Sequence, residues 1–425
     1  MLSKEDKRRI SLFEEAQKYN SYQEKLGLAK ELTILRNDFY YQMTSVTEES
    51  VSLTDFLYHP LDVLSGDAYS ARKVDGFRTF YLLVDGMGKG LSASLTAMIM
   101  TSFVNHIIDK MIQHDHFDLY LLVFETMNYI KSTLLEEEAL AIDYILIDDE
   151  INTISYAKFA MPALFMQNAK NEIIRLKSNN PPMSKYQTDF KVSRYDVSDI
   201  DKFLFYSDGV VENGTLQDGK TYAEFIEEDF KNSFTRKELV DNIFAKMTTQ
   251  EDDLTLAFIN KLNFNAQTSV ASEIFETSFD EIDRANEWFA KKFDALCSSE
   301  DEKYAAGLVF NELFMNAFEH GNLKIDSARK HKLLEEDLYY DLLTREQALC
   351  SKKITVQINK ITHLSSTYVV TKIIDEGEGF DTQILSEIFR NSQAFNGRGV
   401  FISRRNSLGI YYNSTGNMVL YLNKV

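Results

Sequence analysis

The sequence predicts an α+β protein of more than one domain, and three observations carry that prediction. The chain is 425 residues long, beyond the roughly 100–200 residues that one domain ordinarily takes. Short apolar runs of strand length recur through it, interrupted by two segments of helical length that lack glycine and proline. A polar stretch, Lys261-Leu262-Asn263-Phe264-Asn265-Ala266-Gln267, then separates a strand-rich part from a part that opens on helices.

The elements follow in order. Residues Lys4 to Met43 lack proline and are rich in Glu, Lys, Gln and Leu, and Leu28, Leu32, Leu35 and Phe39 keep a 4-3-4 spacing, so residues 1–50 read as a helical segment. It is either a dimerising, signal-transmitting coiled coil or a helix packed on its own domain, and the sequence leaves both open. From 51 to 262, strands are expected at Thr79–Val84, Tyr144–Ile147, Thr153–Ala157, Lys202–Tyr206 and Thr255–Ile259, with helices over Leu91–Met111 and Phe117–Leu135. From 268 to 425, helices near Phe279–Leu296 and Tyr304–Glu319 precede strands near Ile354–Asn359 and Tyr368–Ile374. A helix after Gly399 and strands near Ile410–Tyr412 and Met418–Leu422 complete the chain.

Composition narrows the function classes. A net charge of −19 opposes binding to nucleic-acid backbones and anionic membranes, which repel it over about a Debye length. The chain has no apolar run of about 18 residues and a polar start, so the expectation is a cytoplasmic protein without a signal peptide. Cys297 and Cys350 stand far apart and form neither a metal pair nor a disulfide framework.

The chemistry is concentrated in short acidic turns. Ser65-Gly66-Asp67, Asp85-Gly86-Met87-Gly88-Lys89-Gly90, Tyr206-Ser207-Asp208-Gly209 and Glu251-Asp252-Asp253-Leu254-Thr255 each lie beside an apolar strand-like run. Singly, Asp-Gly after a strand is usually a turn. Four such segments can converge, and convergent carboxylates bind hard divalent cations. Phosphate monoesters hydrolyse extremely slowly in water, so an enzyme for them needs an activated nucleophile and charge neutralisation, which two bridged cations provide.

In this order the four motifs resemble those of the SpoIIE-type serine phosphatases, a bacterial branch of the PPM (2C-type) protein phosphatases, over about 55–262. The resemblance implies an α/β/β/α sandwich, two Mn²⁺ or Mg²⁺ ions and a phosphoserine or phosphothreonine substrate. By similarity Asp67, Asp85 and the Gly86 carbonyl hold metal, with Asp208 and one of Asp252 and Asp253, the first favoured, closing the second site. The family mechanism is attack of an activated water, with no covalent side-chain nucleophile. Two departures stand out: Ser70 replaces an acid of many relatives, and Phe159-Ala160-Met161-Pro162 replaces an Ala-Gly-His stretch.

Farther on, Asn311 to Asn316 read as helix, with Glu312 and Asn316 on one face at i and i+4. Asp375-Glu376-Gly377-Glu378-Gly379-Phe380 follows, then Gly397-Arg398-Gly399 before a helix; glycine turns let backbone N–H groups reach phosphates. With Asn316-Ala317-Phe318-Glu319-His320-Gly321, this resembles the GHKL (Bergerat) ATPases, specifically RsbW-like anti-sigma factor serine kinases, over about 268–425. The resemblance implies Mg-ATP, with Asn316 on Mg²⁺, Glu312 polarising the attacking hydroxyl or water, and Asp375 receiving the adenine amino group. Gly377, Gly379, Gly397, Arg398 and Gly399 would shape the phosphate pocket and lid. The Lys324–Lys353 segment is longer than in small relatives and reads as helical.

The function expected is a bifunctional partner-switching regulator. It would dephosphorylate a STAS-domain anti-sigma factor antagonist and phosphorylate serine with the GHKL domain. A sigma factor or an upstream sensor is a further expected partner, and a homodimer is expected if the N-terminal helix pairs. The alternative is a phosphatase beside a non-catalytic ATP-binding domain that sequesters a sigma factor or antagonist, or senses nucleotide. A phosphatase reduced to a scaffold is disfavoured by the four acidic motifs. A histidine kinase is a poor fit, because His59-Pro60 lies in an extended stretch.

Overall fold

The computed structural model describes residues 22–47, 49–88, 90–217, 219–325, 330, 333, 336, 338–382, 403 and 405–425. It divides into two compact units, Met1–Tyr40 with Thr54–Lys261, and Tyr41–Leu53 with Leu262–Val425. In chain order the strands are β1 Arg36–Asn37, β2 Met43–Thr47, β3 Ser50–His59, β4 Asp67–Lys73, β5 Arg78–Gly86, β6 Leu140–Asp148, β7 Thr153–Phe159, β8 Leu164–Asn168 and β9 Ile173–Leu176. They continue as β10 Ser193–Asp196, β11 Ile200–Tyr206, β12 Leu254–Asn263, β13 Ser269–Glu276, β14 Lys353–His363, β15 Ser366–Asp375, β16 Gly409–Tyr412 and β17 Met418–Lys424.

The first unit stacks four layers. One sheet has the order β1-β4-β5-β6-β7-β10, and the other runs β3-β12-β11-β8-β9. Strand β5 shows why both faces are covered, since side chains alternate across a strand. Phe80, Leu82 and Val84 meet Met100, Val104 and Ile108 of helix Leu91–Gln113 and Leu122 of helix Leu119–Thr133. Tyr81 and Leu83 turn to the other sheet, against Phe203, Phe205 and Ala257. On the far side of that sheet, Leu204, Leu256 and Phe258 pack on Phe230 of helix Ile226–Asn232 and on Leu239 and Ile243 of helix Arg236–Lys246. Local signals place these helices: Asp118 caps the Leu121 N–H at 2.8 Å, and Thr235 and Glu238 form a reciprocal capping box. Helix Leu91–Gln113 is long and apolar enough to cross a membrane by length and composition, yet its buried stripe belongs to this core.

The expected long N-terminal helix is shorter among the described residues. It spans Tyr22–Ile34, after which the chain turns into β1. Leu35 and Phe39 are buried in the first unit's core, the Phe39 ring stacked on Tyr81 at 6.1 Å. Their spacing therefore serves packing on the same chain, and tertiary burial overrides the helical periodicity past Ile34.

A buried ion pair sits within the first unit. Lys158 on β7 donates to Asp143 on β6, where the two residues are cross-strand partners. Burial pushes the Asp143 carboxyl up and the Lys158 ammonium down, and each charge opposes that drift in the other.

The second unit is an antiparallel sheet in the order β13-β14-β15-β17-β16. Helices Phe279–Asp294 and Glu300–Asn316 pack on it through aromatic rings. Phe289 stacks on Phe310 at 4.2 Å and meets Tyr421 at 6.5 Å, and Phe314 meets Phe275 edge-on at 5.6 Å. The unit is discontinuous in sequence: β2 pairs with the first residues of β3, and the Tyr41 carbonyl accepts from the Tyr412 N–H on β16 at 2.7 Å. Gln42 Nε2 also donates to Thr382 Oγ1 at 2.6 Å. Within the Lys324–Lys353 segment, Tyr339–Leu349 is helical. The helix expected after Gly399, and the residues Gly397, Arg398 and Gly399, lie outside the described residues.

Candidate functional site

Sheet register brings the acidic turns of the first unit together. Asp67 opens β4 and stands directly opposite Asp85, near the end of β5. Asp208 follows β11 and starts a short helix at Gly209, and Asp252 and Asp253 precede β12. The Asp67 carboxylate accepts from Ser207 Oγ at 2.6 Å, tying the ends of β4 and β11. Asp253 accepts from the Leu61 and Gly66 N–H groups, each at 2.6 Å, so it braces the turn leading to Asp67. Asp252 Oδ1 accepts from the Asp253 N–H at 2.9 Å.

Glycine is required at two of these turns by space. A Cβ on Gly86 would lie 2.7 Å from the Ala93 carbonyl, and one on Gly209 only 2.0 Å from the Asp253 carbonyl. Both turns therefore pack backbone on backbone, which keeps the acidic ends close.

The electrostatics record that closeness. Burial and then the charges of Asp67 and Asp208, a hydrogen bond with Asp208 and the charge of Asp252 push the Asp85 carboxyl up to about 10. Asp67 is pushed well up by burial, and the Asp253 and Asp208 charges add to the rise. Asp253 is raised chiefly by burial, against its two backbone donors. Among the described residues, no three acidic, histidine or cysteine side chains close on one point as a formed metal site; the carboxylates instead crowd side by side. Oxygen donors crowded at like charge are the set that hard divalent cations take, and such ions remove the repulsion. By donor type, these residues suit hard divalent cations.

Behind this cluster lies a residue that no motif announced. Glu31, on helix Tyr22–Ile34, accepts from Tyr58 Oη at 2.5 Å and the Ser65 N–H at 3.0 Å, and Tyr58 Oη also contacts the Asp67 carbonyl at 3.2 Å. Burial pushes Glu31 up to about 7. A lone Glu in a helical stretch carries no sequence signal; its depth comes from tertiary packing. The departures from the family pattern are apolar or neutral here. Ser70 donates to Asn105 Oδ1 at 2.6 Å. Met161 is buried, and Ala160 before it adopts a left-handed φ of 58°, a backbone glycine accepts more readily.

Residues 75–261 match the family model described as Stage II sporulation protein E (SpoIIE). This segment is similar to the SpoIIE, PPM-type phosphatase domains. The match contains Asp85, Asp208 and Asp252, while Asp67 precedes it. A curated relative, the phosphoserine phosphatase RsbP of Bacillus subtilis (strain 168), is 25% identical over 202 residues, covering 44% of this chain and 47% of RsbP. The chain thus spans about half the length of that relative. Among solved structures, the PP2C domain of SiaA from Pseudomonas aeruginosa covers 50% of this chain and 86% of its own, at 18% identity and a TM-score of 0.42. The RsbU and RsbW domains of a Mycobacterium tuberculosis protein cover 88% of this chain and 94% of their own, at 13% identity and a TM-score of 0.42.

In the second unit, helix Glu300–Asn316 runs into a π-helix over Ala317–Asn322, a distortion frequent at functional sites. Glu312 and Asn316 share its face. Burial raises the Glu312 carboxyl, the Lys330 and His320 charges hold it down, and the Glu319 charge raises it. Asp375, at the end of β15, receives the Gly377 N–H at 2.8 Å, and burial lifts it to about 6. A Cβ on Gly321 would lie 2.5 Å from the Asp375 carboxyl, and one on Gly377 2.3 Å from the Gly321 carbonyl. Gly379, at φ 74°, has no room for a Cβ beside Thr415. The structure therefore brings Gly321, Asp375 and Gly377 into one tight corner.

Proposed function

We propose that the first unit is a divalent-cation-dependent phosphatase of phosphoserine or phosphothreonine on a protein. The observation that carries this reading is Asp67 opposite Asp85 in the β4–β5 register, with the Asp208 charge close enough to help raise the Asp85 carboxyl. Asp67, Asp85, the Gly86 carbonyl, Asp208 and Asp252 would hold two Mn²⁺ or Mg²⁺ ions. When bound, such a pair neutralises the phosphoryl oxygens and lowers the pKa of water at the site. The chain's own part is positional: Ser207 fixes Asp67, and Asp253 fixes the Leu61–Gly66 turn, which leaves Asp252 as the favoured ligand of that pair. RsbP's name as a phosphoserine phosphatase supports the substrate class, and a STAS-domain antagonist of an anti-sigma factor is the proposed phosphoprotein.

The second unit is read as a GHKL site for Mg-ATP, with Glu312, Asn316, Asp375, Gly377 and Gly379 in the roles given above, serving serine phosphorylation of the same class of partner. The runner-up reading keeps this unit as a non-catalytic nucleotide-binding module; Glu312, which simple binding does not need, favours the kinase. In the test, Asp208→Asn is incubated with Mg-ATP and each STAS-domain protein of its own genome while intact mass is followed. The wild type should remove phosphate from the protein that the variant phosphorylates. Mn²⁺-dependent removal by Asp208→Asn at the wild-type rate would overturn the metal assignment, and ATP binding without phosphate gain would favour the runner-up.

A further inference from the structure

The GHKL-type reading gives no role to Lys330, a basic side chain of the second unit. Glu319, one turn beyond Asn316 on the π-helix, has a side chain only 4% exposed and receives the Lys330 ammonium. Lys330 comes from the 324–353 segment, and its Nζ lies 5.4 Å from the centre of the Tyr339 ring. Its charge also acts on Glu312, together with those of Glu319 and His320. One ammonium is thus placed over a face that carries Glu312, Asn316 and Glu319.

That face has the wrong sign for a triphosphate. Two carboxylates repel the terminal phosphate unless a cation stands between them and the ligand. His320, the other basic group acting on Glu312, has its Nδ1 engaged with the Ile325 carbonyl. Lys330 is about one-third exposed and carries three donors, of which Glu319 takes one. An exposed ammonium on a flexible stem can shift from a carboxylate to a nearby phosphate at little cost.

We propose that Lys330 is a phosphate-binding residue of the nucleotide site, its ammonium passing from Glu319 to the terminal phosphate of Mg-ATP. The proposal rests on the nucleotide reading of this unit. Asp375 would bind the base of ATP and ADP alike, so Lys330 should discriminate between them.

The test measures Mg-ATP and Mg-ADP affinity by titration calorimetry on the full chain. Wild type, Lys330→Met, Lys330→Arg and Glu319→Gln are compared. Lys330→Met should lose about tenfold in ATP affinity, as expected for one charge-assisted hydrogen bond, with ADP affinity within about twofold, the latter also attesting a folded site. Lys330→Arg should recover most of the loss, and Glu319→Gln should raise the ATP-to-ADP preference by releasing the ammonium. Equal losses for both nucleotides, or none, would overturn the role of Lys330 while leaving the nucleotide site standing. Should Lys330→Met bind neither, an unchanged preference in Glu319→Gln would overturn it, whereas a raised one would support it. A wild type that binds neither nucleotide would remove the site itself.

Discussion

Glu31 offers a quantitative check on the packing behind the acidic cluster. Its carboxyl is 1% exposed, and burial lifts its pKa from the ordinary 4.5 to about 7, with the Tyr58 and Ser65 hydrogen bonds and the Asp253 charge as lesser influences. The raised value means that folding favours the protonated acid. The stabilising contribution is complete below about pH 4.5 and is lost as pH rises through about 7. At about 1.4 kcal/mol per tenfold change in proton activity, the loss by pH 8 is about 3 kcal/mol. Glu31→Gln keeps an acceptor for Tyr58 and Ser65 but cannot ionise. The amide nitrogen meets the place where Oε2 has no partner, a cost that is the same at every pH. Part of that loss has already occurred by pH 5, so between pH 5 and pH 8 the stability difference should move by about 2.5 kcal/mol in favour of the variant. Urea unfolding in chelator, followed by far-ultraviolet circular dichroism, measures it. The chain's single tryptophan, Trp288, lies in the second unit, so its fluorescence gives an internal control that should not move. A difference independent of pH would refute the argument.

Two further outcomes are expected. Asp253→Asn should destabilise the first unit by about 1–2 kcal/mol, because one of its two backbone donors loses its acceptor, while Asp252→Asn should chiefly raise the Mn²⁺ concentration needed for half-maximal turnover; a thermal shift and a metal titration distinguish them, and swapped effects would reverse the assignment. Lys158→Met leaves Asp143 buried and unpaired and should cost about 3–5 kcal/mol, with most of it recovered when Asp143→Leu is added. Urea titration of the single and double variants reads the coupling, and additive losses would count against it.

Much of the coarse architecture was legible because strands and helices here are long, periodic and bounded by turn residues. Thr79–Val84 lies inside β5, and Leu91–Met111 lies inside helix Leu91–Gln113. The acidic turns were legible one by one, since Asp before Gly at a strand end is a local pattern. Their mutual placement was not, because it depends on cross-strand register between segments some 140–190 residues apart. Ser207 stood inside a quoted motif, yet its bond to Asp67 needs β4 and β11 side by side. Glu31 and Lys330 were silent for the same reason, as each gains its meaning only from a partner brought near by folding. The N-terminal periodicity misled past Ile34, where Leu35 and Phe39 repeat on helical spacing but are buried outside any helix.

The second unit takes residues 41–53 and 262–425, and most of the first unit's residues lie between them in sequence. During synthesis, Tyr41 leaves the ribosome more than 350 residues before Tyr412, whose N–H donates to its carbonyl, is made. The first unit's residues are all made once Lys261 is added, whereas the second unit can close only when the chain is nearly finished. An order of assembly is thereby written into the connectivity: the domain that would remove phosphate is ready first, and the one that would add it comes last.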